Sequence, residues 1–312
     1  MTVYHFDIDN TVMVNPRKSD SGENTTNSIV AQNIVGSYKL KDPTISNPLD
    51  ESCIKECIQL QWSMDVFATP LCSFDEYLSR AWFSDGTKEQ NVKCTLIRRL
   101  AKRTLIQIYP ELKQVADRLK ENYKDGEFFE SFKEFVRENP SATIVWRTFG
   151  VHGERVAKKF NEECNGNCTG TDVLHRDPDT GYPTLYIGWT NTKELPDATS
   201  CPSVKGYTDI GHYMQNCEGR LILENYDNWA KSGEAANRSK LFVHSSDDCK
   251  QYFFDDNANP STTHHLNKEK SIVDSRSTNG ELIPDGKYVF RVDTVKAILE
   301  NDYFLNLLRS VQ

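Results

Sequence analysis

Short apolar runs that stop at a chemically active residue are the feature that most constrains this chain. Residues 2–6 (Thr-Val-Tyr-His-Phe) are rich in strand formers and stop at Asp7. Residues 142–147 (Ala-Thr-Ile-Val-Trp-Arg) stop at Thr148, and residues 251–254 (Gln-Tyr-Phe-Phe) stop at Asp255-Asp256. Between these runs the apolar residues recur at helical spacing. Strands alternating with helices predict an α/β fold built on a Rossmann-like, mostly parallel sheet covered on both faces. Ligands of such sheets bind beyond the carboxyl ends of the strands, which is where these polar residues fall.

Helices are predicted over 51–62, 89–108, 111–122 and 127–138. In the last of these, Phe128, Phe132, Phe135 and Val136 form an apolar stripe, Asp125 is the expected N-cap, and Asn139-Pro140 ends the pattern. Another helix follows Thr148, with Val151, Val156 and Phe160 facing inward. Residues 220–224, 241–244, 272–274 and 288–292 read as strands and 226–237 as a helix. A closing helix starts near residue 294, with Val295, Ile298, Leu299, Leu307 and Leu308 on its inner face. Residues 15–49 carry turn chemistry and read as a long loop. Residues 161–218 hold Gly, Pro, Asn and Asp punctuation and four cysteines, and read as an irregular insert with one strand at 184–189. No internal repeat is visible.

The 312 residues suit one large domain or a core with a smaller insert, and a formal charge of -8 makes an electrostatic nucleic-acid partner unexpected. No apolar run is long enough for a membrane helix, so no membrane association is expected. The first residues place the acidic Asp7 where a leader would need a long apolar run, so a cytoplasmic protein with reduced thiols is expected. Cys53/Cys57 and Cys164/Cys168 each have three residues between them. Zinc sites more often use tighter pairs joined to a second pair or to histidines. His264-His265 reads as solvated loop.

The strand ends carry a coherent chemistry. Asp7 can attack as a covalent nucleophile. Asp9, two residues on, can protonate a leaving oxygen and then take a proton from water. The Thr148 hydroxyl can bind a phosphate oxygen, as can Asn10 in the first loop, although a capping threonine is the simpler role for Thr148. Asp7 and Asp255, with the carbonyl of Asp9, can hold a hard cation such as Mg2+. Phosphoryl transfer also needs a fixed positive side chain. Lys231 and Lys240 are the candidates. Strand polarity favours Lys231, because Lys240 lies just before a strand and hence at the opposite edge. Arg147 is a substrate contact or one half of a structural ion pair.

These residues resemble the haloacid dehalogenase superfamily of phosphohydrolases. Its Asp-x-Asp-x-Thr motif is matched by Asp7-Ile8-Asp9-Asn10-Thr11, its strand ending in a hydroxyl by Ile144 to Thr148, its lysine by Lys231, and its acidic pair by Phe253-Phe254-Asp255-Asp256. The resemblance covers about residues 1–14, 125–160 and 220–312. It implies a catalytic core over 1–14 and 125–312 and a largely helical, substrate-selecting cap over 15–124. It implies Asp7 as nucleophile, Asp9 as general acid and base, Lys231 beside the phosphate, and magnesium held by Asp7, Asp9, Asp255 and Asp256. The expected activity is hydrolysis of a phosphomonoester, most simply a phosphorylated small molecule, through an aspartyl-phosphate. A phosphotransferase or phosphomutase, or a non-catalytic binding protein on the same fold, are the alternatives. Substrate identity and oligomeric state are left open by the sequence.

Overall fold

The structure is a computed structural model that describes residues 2–14, 22–36, 72–75, 78, 88–149, 152–197, 199–231, 240–244, 250–256, 272–274 and 288–310. The strands are β1 (Thr2–Asp7), β2 (Val35–Gly36), β3 (Cys72–Ser73), β4 (Thr143–Thr148), β5 (Gly170–Arg176) and β6 (Pro183–Ile187). They continue as β7 (Ser203–Lys205), β8 (Arg220–Glu224), β9 (Phe242–His244), β10 (Lys250–Asp255), β11 (Ile272–Asp274) and β12 (Val289–Arg291). The helices are α1 (Gly22–Asn33), α2 (Lys88–Ile108), α3 (Pro110–Asn122), α4 (Glu130–Glu138) and α5 (Gly153–Glu163). After them come α6 (Tyr207–Asn216), α7 (Tyr226–Lys231), α8 (Thr294–Leu299) and α9 (Tyr303–Arg309). The predicted helix over 51–62 lies outside the described residues. No helix among the described residues is long and apolar enough to cross a membrane.

Two compact units divide the chain. The first comprises Met1–Met13, Phe128–Val292 and Asn301–Gln312. Its main sheet has eight strands in the order β12-β10-β1-β4-β8-β5-β6-β7. The six strands from β12 to β5 run parallel, and β6 and β7 add antiparallel. The fold is therefore α/β and broadly Rossmann-like. From β1 the chain places β4 beside it, lays down β5, β6 and β7 further out, inserts β8 between β4 and β5, and then returns to place β10 and β12 on the other side of β1. The carboxyl ends of β1 and β10 flank that reversal, the position where open parallel sheets take ligands.

Register sorts the side chains of the central strands onto two faces. One face is aromatic. Phe6 stacks on Phe254 at 4.6 Å and Phe254 on Phe290 at 4.9 Å, while Phe132, Phe135 and Phe304 meet Phe6 edge-on at 5.1, 5.3 and 5.6 Å. Trp146, Phe128 and Phe160 extend the layer. The helix stripe predicted from Phe128 to Val136 thus supplies this core. α4 starts later than expected, at Glu130 behind an extended Phe129, because Phe128 bridges to Met13 and the Phe129 N–H donates to the Val12 carbonyl. The opposite face mixes an apolar cluster that includes Val3, Val145, Leu174, Ile210, Ile222 and Leu241 with buried polar groups.

Residues 161–218 are not an irregular insert: β5 pairs with β8 and continues the main sheet, β6 and β7 follow it, and α6 packs on the same unit. The fully buried Asp172 organises this part, accepting from Arg220 at 3.0 Å, from the Tyr213 hydroxyl at 2.9 Å and from the Gly188 N–H at 2.9 Å. The closing helix is two helices. α8 and α9 are separated at Glu300–Asp302 and fall in different units.

The second unit comprises Val14–Glu127 and Asp293–Glu300. α1, α2, α3 and α8 pack together, and a core of Ala31, Phe74, Leu78, Ile97, Ala101 and Leu105 joins α1 to α2. Residues 22–33 are helical where a loop was expected, with Ile29, Val30 and Ala31 buried.

Candidate active site

The chain ends β1 with a tight turn. The carbonyl of Ile8 accepts from the N–H groups of Thr11 at 3.3 Å, Val12 at 3.1 Å and Met13 at 3.4 Å, and Asn10 N–H donates to the Met13 carbonyl at 2.8 Å. Asn10 sits at φ 60°, a left-handed conformation that asparagine tolerates better than most residues. Ile8, Val12 and Met13 are buried and pin the turn from below. The sequence Asp-Ile-Asp-Asn-Thr therefore folds so that its apolar residue enters the core and its carboxylates stay at the strand end.

Asp7 is almost fully buried there. Its Oδ2 accepts from the Thr11 hydroxyl at 3.3 Å, and its Oδ1 takes a hydrogen bond and ion pair from Lys240 Nζ. Lys240 Nζ also donates to Asp255 Oδ2 at 3.0 Å, so one ammonium bridges the ends of β1 and β10. The Thr11 hydroxyl oxygen in turn accepts the Asp256 N–H at 3.0 Å, tying the first loop to the acidic pair. Phe149, directly after β4, places its ring 5.7 Å from Lys240 Nζ, and the half-exposed Tyr226 meets Phe149 edge-on at 6.2 Å.

Two carboxylates and one ammonium leave surplus negative charge in this cluster. Burial pushes the Asp7 carboxyl up to about 7, Lys240 opposes that rise, and the charges of Asp255 and Asp9 add to it. Burial by itself would depress Lys240, but Asp255 and Asp7 outweigh it and hold the ammonium above the usual lysine range. The two shifts differ in origin: loss of water raises the carboxyl, and the neighbouring carboxylates raise the ammonium. One oxygen from each of Asp7, Asp255 and Asp256 lies within 4.8 Å of the others, so the three could hold a metal ion. An all-oxygen carboxylate set suits a hard divalent cation.

The structure thus brings together Asp7, Asp255 and Asp256. Asp9 stays in the first loop, half-buried, and is outside the three-carboxylate group, although its charge reaches Asp7. Thr148 is buried at the end of β4. A Cβ on Gly153, the first residue of α5, would lie 3.0 Å from the Thr148 methyl and 2.8 Å from Leu221 Cδ1, so glycine allows this close helix approach. Arg147 is fully buried and ion-paired with Glu224, so it is the structural partner and not a substrate contact.

Strand polarity does not separate Lys231 from Lys240. β9, which follows Lys240, is not a strand of the main sheet but pairs with β11. Its polarity therefore says nothing about the edge on which Lys240 lies, and among the described residues Lys240 is the lysine that contacts Asp7 and Asp255. Lys231 ends α7, and its side chain lies outside the described residues. The roles of Thr11 as a link and of Phe149 beside the lysine were not read from the sequence. Thr11 lies in the first motif, whereas a single phenylalanine after a strand carries no signal of its own.

No protein-family model matches the chain, and no curated protein or solved structure matches it significantly.

Proposed function

We propose that this chain is a magnesium-dependent phosphomonoester hydrolase of the haloacid dehalogenase type that works through an aspartyl-phosphate on Asp7. The observation that carries this reading is the buried Asp7, set at the sheet's reversal point between Lys240 and Thr11, with Asp255 and Asp256 beside it. Asp7, Asp255 and Asp256 would hold magnesium, which would supply positive charge that lets an anionic ester approach three carboxylates.

The residues of the chain then divide the work. Lys240 and the Thr148 hydroxyl bind phosphoryl oxygens, with Asn10 nearby in the first loop. An Asp7 carboxylate oxygen attacks phosphorus as the ester oxygen leaves with the proton of Asp9. Asp9, now ionised, takes a proton from water as that water attacks phosphorus. The bond from phosphorus to Asp7 breaks and inorganic phosphate leaves. The Thr11 hydroxyl orients the Asp7 oxygen that it touches. The second unit is the substrate-selecting cap in this reading, the substrate is a phosphorylated small molecule, and the compartment is the cytoplasm.

The test is phosphate release by the purified chain from a panel of phosphorylated metabolites, with Mg2+ or with chelator, beside Asp7→Asn. Turnover that needs Mg2+ and falls at least ~10³-fold in the variant is expected, the scale on which loss of a covalent nucleophile acts. Turnover retained in Asp7→Asn would remove the covalent mechanism. Transfer to an added alcohol in preference to water would move the assignment to a phosphotransferase.

A further inference from the structure

We infer that Arg147, clamped by Glu224, is a positioning residue that fixes the main chain at Leu241 and so holds the Lys240 ammonium between Asp7 and Asp255. The catalytic consequence of this inference rests on the phosphohydrolase reading, whereas the placement of Lys240 does not.

Lys240 has an unusual origin for a group at the centre of a site. β9 belongs to a separate two-stranded ladder with β11, so the hydrogen bonds of the main sheet do not place the residues just before it. A lysine also reaches its target on a flexible four-carbon stem, so its ammonium is only as well placed as its backbone. Two contacts tie the next residue to the main sheet. The Leu241 side chain is fully buried in the cluster that includes Val3, Val145 and Ile222. The Leu241 carbonyl accepts from Arg147 Nη2 at 2.7 Å.

Arg147 is itself held on three sides. Its Nε donates to Glu224 Oε1 at 3.0 Å and Nη2 donates to the same oxygen. The Phe253 ring lies 5.5 Å from its guanidinium carbon. In register it sits between Asp7 on β1 and Ile222 on β8. Arg147 is 0% and Glu224 2% exposed. A fully buried ion pair rarely stabilises a fold more than apolar residues of the same size would. Its neighbours Val145 and Ile222 show that this face accepts apolar packing. What an apolar pair would not provide is a donor aimed at the Leu241 carbonyl. The clamp thus spans β4 and β8 and ends one residue from the active-site lysine.

The experiment compares wild type with Arg147→Met, Glu224→Gln and Lys240→Met in the full chain. Lysines are acetylated briefly with acetic anhydride and read peptide by peptide, with folding checked by circular dichroism. Turnover of p-nitrophenyl phosphate with Mg2+ is measured in parallel. In wild type Lys240 is protected. In Arg147→Met its acetylation rises at least ~10-fold while exposed Lys113 and Lys158 label as before, and kcat falls ~10²-fold with KM changed under ~3-fold, as expected for a misplaced group. In the Lys240→Met background Arg147→Met costs under ~2-fold in kcat, because a residue that acts through another shows full coupling to it. Glu224→Gln gives the same pattern more weakly, and decides the matter if Arg147→Met does not fold. Protection of Lys240 unchanged in a folded variant, or independent effects of the two substitutions, would overturn the inference. If wild type releases no phosphate at all, the phosphohydrolase reading fails, and the acetylation pattern still decides the clamp.

Discussion

On one face of the main sheet Phe6 lies stacked on Phe254, with Phe132, Phe135, Phe304 and Trp146 closing around them. On the other face the same strands carry His5, Asp7, Arg147, Glu224, Gln251 and Asp255, all buried. The two faces differ in what burial does for the fold. Each aromatic ring removes apolar area from water and gains about 0.5–1.5 kcal/mol per well-placed ring pair. Each buried charge costs solvation that its partners only partly return. His5 shows the sign of that cost: burial and the Arg147 charge push it down to about 3, against the pull of its hydrogen bond with Gln251, so it remains neutral. The aromatic face stabilises the sheet, whereas the other face, beside its own apolar cluster, uses part of that stability to hold charges near the carboxyl ends of β1 and β10.

The sharpest way to break this comparison is to damage each face separately. Phe6→Ala removes the ring at the centre of the aromatic layer and is expected to destabilise the chain by about 3–5 kcal/mol, the usual cost of emptying a packed phenylalanine site. Chemical denaturation should show that loss with and without Mg2+, at any pH where the chain folds.

Asp7→Asn should do the opposite when metal is absent. Burial pushes the Asp7 carboxyl of the folded chain up to about 7 from an ordinary value of 3.8. Between those values the folded state binds a proton that the unfolded state does not. The stability this contributes is fully present below about pH 3.8 and is lost as pH rises through about 7. The asparagine variant carries no such titration. With chelator at about pH 8 it should be more stable than wild type by on the order of 2 kcal/mol, with the gap closing toward about pH 4. Added Mg2+ should stabilise wild type and leave the variant nearly unchanged. A variant less stable than wild type at high pH without metal would mean that the Asp7 carboxylate contributes to the fold, and the contrast between the faces would fall.

The part of this arrangement that was legible in the sequence is the part written as local pattern. An apolar run that ends in Asp7, Thr148 or Asp255-Asp256 states both the strand and its polar end, and the phenylalanine stripe of α4 states a buried face. What escaped depended on packing across long distances. α1 is made of Gly-Glu-Asn-Thr-Thr-Asn-Ser, then Ile29 and four further apolar or amide residues, a composition that favours loops until Ile29, Val30 and Ala31 find a core. β5 alternates Asp172 with Val173 and places His175 beside Leu174, so a strand of the main sheet resembled decoration. Strand polarity ranks Lys231 above Lys240 only if the apolar run after Lys240 belongs to the main sheet. Only the pairing of β9 with β11 shows that the run belongs elsewhere.

The most direct test of the account is to trap the phosphoryl group. Wild type is mixed with Mg2+ and p-nitrophenyl phosphate, quenched in acid after a few milliseconds to seconds, digested, and its peptides weighed. One added phosphoryl group is expected on the peptide that carries Asp7, lost on treatment with hydroxylamine and absent from Asp7→Asn. Turnover with no phosphoryl group on that peptide at any quench time, or the group on a different residue, would contradict it.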